Sequence, residues 1–199
     1  MEAAEILFAD QGFNGTSVRD ISEKANVNLA MISYYFGSKD KLLEAIFQYR
    51  GELGKMKLEE IIYKPGLTSM EKMNLLIDHY LDKVLSQQCF YKIMTREQVL
   101  SASGPIADLI LQMKRTNMDL VGGLVHEGQK NGEFKKGIEI SLMFATLIGT
   151  ANHLITSKRY YKELNNLQDM NEEEFHKHLR KKLSQHLKHI FKITLTNES

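Results

Sequence analysis

The sequence predicts an all-α fold: three short N-terminal helices, then a larger helical body, about nine helices in all. Three observations carry this. The chain has only two prolines in 199 residues, Pro65 and Pro105, so long helices can run unbroken. Apolar residues recur at helical spacing, most clearly at Met70, Met73, Leu76, Ile77, Tyr80, Leu81, Val84 and Leu85. Capping and stop signals separate the periodic stretches, and no segment has the character of a strand, an internal repeat or a low-complexity run.

The elements follow in order. Residues 3–9 are nearly all apolar helix formers, and Gly12 ends them. Thr16-Ser17 offers an N-cap for a short helix over 18–25, with Val18 and Ile21 on its inner face. Asn26-Val27-Asn28 is a tight turn in which Asn26 tolerates a left-handed backbone. A second short helix spans 28–36, Gly37-Ser38 breaks it, and Ser38 caps a long helix over 39–62. Lys64-Pro65-Gly66 is a linker. Thr68 and Glu71 form a capping box for the helix that follows. Further helices are expected over 90–100, 105–130 (with Pro105 in its first turn), 138–157 and 172–193.

Composition excludes several classes. With 43% hydrophobic and 26% charged residues the chain is of globular type. It has no run of 18 apolar residues to span a membrane, and no signal-peptide pattern opens it. The single cysteine, Cys89, rules out an internal disulfide, suits a reducing cytoplasm and is expected to be a buried thiol. No glycine-rich phosphate loop, nucleophile elbow or His-Glu-x-x-His signature supports an enzyme, and no cofactor is expected. Of the histidines at 176, 178, 186 and 189, only His186 and His189 share a helix face, and no cysteine or paired carboxylate joins them, so no metal is expected. Residues 1–50 carry five basic and seven acidic groups, a balance of −2, which counts against a nucleic-acid-binding head.

Two short helices joined by a tight turn, with a third packed across them, is nonetheless the helix-turn-helix design. The expected three-helix core is Ile6, Leu7, Val18, Ile21, Ala25, Val27, Ile32, Phe36 and Leu42. The second short helix would enter a DNA major groove, presenting Asn28, Leu29, Ala30, Met31, Ser33, Tyr34 and Tyr35. Thr16, Ser17 and Lys39 lie where helix N-termini can offer amides to phosphate, and Arg19 adds a charge beside them. The runs Ala3-Ala4-Glu5-Ile6-Leu7-Phe8, Gly12-Phe13-Asn14-Gly15-Thr16-Ser17-Val18, Ala25-Asn26-Val27 and Ile32-Ser33-Tyr34-Tyr35-Phe36-Gly37-Ser38-Lys39-Asp40-Lys41-Leu42 resemble the DNA-binding domain of the TetR/AcrR family of repressors. The resemblance covers residues 1–47; the remainder matches the family only in its layout of helices. It departs from the family at Asn26, where glycine is common, and at Ser33, where tyrosine is common. Met1 falls inside the first helix, so a basic stretch ahead of it is expected in the intact gene product. The resemblance implies a DNA-binding domain over 1–47 and a ligand-binding and dimerisation domain over 48–199. It also implies a homodimeric repressor on a near-palindromic double-stranded operator, released by a small effector.

In the body, methionines and aromatics suggest an apolar cavity lined by Met73, Ile77, Tyr80, Met94, Met113, Phe144 and Ile148. Gln98, Asn117 and Asn152 would supply its polar contacts. Ser141, Ala145, Gly149 and His153 repeat every four residues, and Leu179, Leu183, Leu187 and Ile190 stripe the last helix; together they could form a four-helix dimer contact or simply pack within one subunit. Gly51 and Gly54 mark a soft point in the long helix, as either a relay or a plain irregularity. The alternatives to a ligand-responsive DNA-binding regulator are a helical small-molecule-binding dimer without DNA binding, and an enzyme.

Overall fold

The structure, a computed structural model, describes residues 1–100 and 103–197. The described residues hold ten helices and no strand: α1 Glu2–Gln11, α2 Val18–Ala25, α3 Leu29–Phe36, α4 Lys39–Ile62, α5 Ser69–Ser86, α6 Gln88–Leu100, α7 Pro105–Lys130, α8 Ile140–Thr156, α9 Lys158–Leu164 and α10 Glu172–Leu195. The all-α expectation holds, with one more helix than the nine expected. The addition is α9, whose Ser157 N-cap makes no side-chain hydrogen bond and which buries no residue. No single described helix is long and apolar enough to cross a membrane.

The helices pack as two compact units, residues 1–57 with 87–117, and residues 58–86 with 118–199. This division is one of packing; the expected division at 47/48 is one of role. In the first unit α1 lays Ala4, Leu7 and Phe8 inward, and these meet Ile21, Ile32, Leu42, Ile46, Phe47, Phe90, Ile93 and Ile110. Three members of the expected core do not belong to it. Ile6 and Val27 are each 39% exposed, and Ala25 is exposed as well. Ile6 falls off the inward stripe that Ala4, Leu7 and Phe8 set at i, i+3 and i+4, and Val27 follows the turn at Asn26.

α6 belongs to this unit as well. Arg96 donates to the carbonyl of Phe8 (2.9 Å), which also accepts from the Gly12 N–H, and to that of Ala9 (3.4 Å), an acceptor near the open end of α1. The Arg50 guanidinium on α4 forks onto the Glu5 carboxylate with two 3.0 Å hydrogen bonds. α4 runs through Gly51 and Gly54 without a break. A Cβ at Gly51 would lie 3.1 Å from Cγ of Met113, so this glycine admits a close neighbour.

The second unit is built on α5, α8 and α10 with the C-terminal part of α7. Its core includes Met73, Ile77, Leu81, Leu124, Met143, Ala151, Phe175, Leu179, Leu183 and Leu187. The Thr68–Glu71 capping box forms as expected: the Thr68 N–H donates to Glu71 at 2.8 Å and the Glu71 N–H to Thr68 Oγ1 at 3.2 Å. A charged seam ties α5 to α10. Asp78 accepts from Ser184 Oγ (2.6 Å) and from Lys188, and Arg180 forks onto Asp82 at 2.8 and 3.0 Å.

Partial burial alone would raise the Asp78 pKa, but the hydrogen bonds from Lys188 and Ser184 and the charges of Lys188 and Arg180 outweigh it and hold the pKa below its ordinary value. A depressed carboxylate pKa adds stability above the unfolded-state value, and that stability is lost as pH falls through the folded value. The Asp78→Asn variant is therefore expected to be about 1 kcal/mol less stable at neutral pH, with the gap closing below about pH 4. Denaturant melts across a pH series check this; a gap that persists at pH 2 contradicts it.

Candidate nucleic-acid interface

The head owes its shape to short, local hydrogen bonds. Ser17 caps α2 by accepting from the Asp20 N–H (3.1 Å), while the Asp20 carboxylate accepts from the Ser17 N–H (2.7 Å). The Ser17 N–H, and after it the Ser17 hydroxyl, holds the Asp20 pKa below its ordinary value. Asn26 ends α2 in the left-handed conformation (φ 53°, ψ 46°), as the sequence predicts. Asn28 caps α3 by accepting from the Ala30 N–H at 2.8 Å. Gly37, at φ 77°, ends α3, and Ser38 accepts from the Lys41 N–H (3.1 Å) to open α4. Between α1 and α2 the chain is tight: a Cβ on Gly15 would fall 2.5 Å from the Gln11 carbonyl oxygen.

α3 buries one side chain, Ile32, and half-buries Phe36. Every other residue from Asn28 to Tyr35 is exposed, Tyr34 by 83% and Tyr35 by 68%. The two tyrosine rings meet edge to face with centroids 5.1 Å apart. A helix of eight residues that leaves Tyr34 and Tyr35 largely in solvent, and Leu29 and Met31 partly so, gains little stability from them within the subunit.

Of the three amides expected at phosphate, those of Thr16 and Ser17 are engaged within the head, and the Lys39 side chain is turned inward. Thr16 is 1% exposed, its hydroxyl donates to the Gly12 carbonyl (2.8 Å), and its N–H donates to Phe13. The Ser17 N–H is taken by Asp20. Neither amide is left for a phosphate. The Lys39 ammonium turns inward, donating to the Phe13 and Thr16 carbonyls at 2.8 Å each and lying 4.2 Å from the Phe13 ring centroid. It clamps the loop before α2. The start of α2 retains the Val18 and Arg19 amides, which have no acceptor within the helix, together with the exposed Arg19 side chain.

The remaining expected residues divide between the two units. Met94 and Met113 pack on the first core, and Met113 and Asn117 line a cleft of about 220 Å³ with Phe47, Gly51, Leu109 and Thr116. Gln98 is exposed, its amide donating to the Met94 carbonyl and accepting from Lys114. In the second unit Met73 and Ile77 are sealed in the core, whereas Tyr80, Phe144, Ile148 and Asn152 are half-buried. Ser141, Ala145, Gly149 and His153 form an exposed stripe on α8. Leu179, Leu183 and Leu187 do not join such a surface: at 1%, 1% and 0% exposure they are spent on the subunit's own core, and Ile190 packs beside them. The exposed residues of α10 include instead Lys182, Gln185, His186, His189 and Ile193.

The Arg96 clamp and the Glu5–Arg50 pair escaped sequence reasoning, because their partners lie 88 and 45 positions apart. The one available signal was Glu5 itself, a charge set among the inward residues of α1.

Two capped short helices joined through a left-handed asparagine, the second bare to solvent, define a helix-turn-helix DNA-binding protein with a helical body. Residues 1–46 match the family model described as bacterial regulatory proteins, tetR family, and residues 55–179 match that described as YsiA-like protein, C-terminal region. The chain belongs to the TetR family and is a DNA-binding transcriptional regulator. It is 24% identical over 157 residues to the fatty acid metabolism regulator protein of Bacillus subtilis, covering 79% of this chain and 80% of that one. It is 26% identical over 153 residues to the transcriptional repressor KstR2 of Rhodococcus jostii, covering 76% and 74%. The crystal structure of FadR from Bacillus subtilis in complex with stearoyl-CoA shares the fold, with a TM-score of 0.69, 22% identity and 94% of each chain covered.

Proposed function

We propose that this regulator is a homodimeric repressor that holds a near-palindromic operator with two copies of α3 and lets go when a largely apolar effector binds. Residues 1–47 bind DNA; residues 48–199 take the effector and form the dimer. The observation that carries the reading is the near-total exposure of α3. Asn28, Leu29, Ala30, Met31 and Ser33 face base edges, while the Tyr34 and Tyr35 hydroxyls and Arg19 reach the backbone. The effector sits against Tyr80, Phe144, Ile148 and Asn152, which are neither sealed nor fully wet. An acyl-CoA is the first effector to try, since the FadR structure contains stearoyl-CoA.

The full chain is expected to select a two-fold symmetric site from a random duplex library, and its affinity for that site to fall at least tenfold between about 50 and 200 mM salt. Adding stearoyl-CoA tests release, and a Tyr80→Ala variant should need more of it. Binding that ignores salt and sequence rejects the repressor in favour of a helical ligand-binding dimer.

The dimer is expected to form through the small-residue stripe of α8. A Cβ placed on Gly149 meets nothing within 4 Å, so a larger side chain fits the subunit but not a close helix partner. Gly149→Arg is expected to fold, to sediment as a monomer and to bind the operator about a hundredfold more weakly through lost bivalency. A variant that stays dimeric moves the interface elsewhere.

A further inference from the structure

α3 carries no arginine, lysine, histidine, glutamine or carboxylate from Leu29 to Phe36. The common hydrogen-bonding readers of DNA bases, arginine or lysine on guanine and glutamine on adenine, are therefore absent from the helix. Asn28 stands at its start, but Oδ1 accepts the Ala30 N–H at 2.8 Å, so the acceptor half of a bidentate adenine contact is engaged in the cap. Hydroxyls on Ser33, Tyr34 and Tyr35 both donate and accept and discriminate poorly between bases. What remains exposed at the N-terminal end, where recognition helices of this design meet base edges, is apolar: Leu29, Ala30 and Met31, with Leu29 45% and Met31 46% exposed. Only one base presents an apolar group in the major groove, and it is the C5-methyl of thymine.

We infer that Ala30 and Met31 are specificity-determining residues that read thymine methyl groups, and that the operator half-site is thymine-rich where the start of α3 enters the groove. The inference rests on the DNA-binding reading above. It accounts for an apolar recognition surface that would otherwise only cost solubility. Met31, on a flexible thioether stem, fits its methyl contact to the groove, and Ala30 leaves room for the base pair to approach the helix.

The test begins with sites selected by the full chain from a random double-stranded DNA library. Each half-site is expected to show fixed T·A pairs. Replacing those thymines with deoxyuridine, which removes the methyl alone, should weaken binding about fourfold per methyl while leaving the salt dependence unchanged. Met31→Gln, at an exposed position that should leave folding intact by circular dichroism, is expected to lose the deoxyuridine penalty at one position and to prefer adenine there. Fixed G·C pairs at these positions, or indifference to deoxyuridine in otherwise salt-sensitive binding, overturns the inference and leaves the regulator reading standing. Absence of any salt-sensitive duplex binding overturns both.

Discussion

Gly128→Ala is expected to lower the melting temperature by up to about 8 °C, although the substitution places a better helix former in a helix. Glycine costs about 1 kcal/mol against alanine inside a helix, so propensity alone predicts a gain. Packing predicts the reverse. A Cβ on Gly128 would sit 2.3 Å from Cδ2 of Phe134 and within 2.8 Å of two further ring atoms. Phe134 is 4% exposed and packed in the core. Nor can its backbone retreat: the N–H groups of Glu133 and Phe134 both donate to the Gly128 carbonyl, at 2.8 and 3.0 Å. The Glu133 carboxylate in turn holds the Ser69 N–H (2.7 Å) and hydroxyl (2.9 Å) at the start of α5, and the Lys135 N–H reaches the Leu195 carbonyl at 2.8 Å. An overpacked core loses about 1–3 kcal/mol, worth some 2–4 °C per kcal/mol in a chain of this size. Calorimetry on the single variant and on Gly128→Ala with Phe134→Leu gives the check. The smaller side chain should restore part of the loss, and a single variant that melts at or above the parent temperature would show that the ring has somewhere to go.

The second large effect is expected at the Glu5–Arg50 pair. The Glu5 side chain is 8% exposed and Arg50 21%, so the carboxylate has little water to fall back on. Removing only the guanidinium, as in Arg50→Leu, leaves a buried charge unpaired and should cost about 3 kcal/mol. Replacing both partners with leucine removes the charge along with the need for a partner, and that variant is expected to melt near the parent protein. Urea denaturation of the parent, Glu5→Leu, Arg50→Leu and the double variant completes a mutant cycle. A double variant less stable than Arg50→Leu would contradict the account.

The local features were legible in the sequence because each is encoded within four residues of itself. The turn at Asn26, the Thr68–Glu71 box and the caps at Ser17 and Ser38 all belong to this class. The exposure of Tyr34 and Tyr35 was legible too, since eight residues cannot hide two neighbouring aromatics on one inner face. Long-range choices were not. The inward turn of the Lys39 ammonium, onto carbonyls 26 and 23 positions away, is one of them. Leu179, Leu183 and Leu187 had the pattern of an interface, but a leucine stripe looks alike whether it meets its own subunit or another. α9 carries neither a cap bond nor a buried stripe, so neither signal could announce it.

The attachment of α6 to the first helix bears on how such regulators can be recombined. Arg96 holds the end of α1, and residues 87–117 share a packing unit with residues 1–57. A chimera cut at residue 47 would import a foreign head onto a guanidinium aimed at carbonyls it had never met, and would orphan Arg50 from Glu5. Exchange of operator preference between relatives should therefore succeed when α6 travels with the head, as a discontinuous cassette, and fail when the head travels alone.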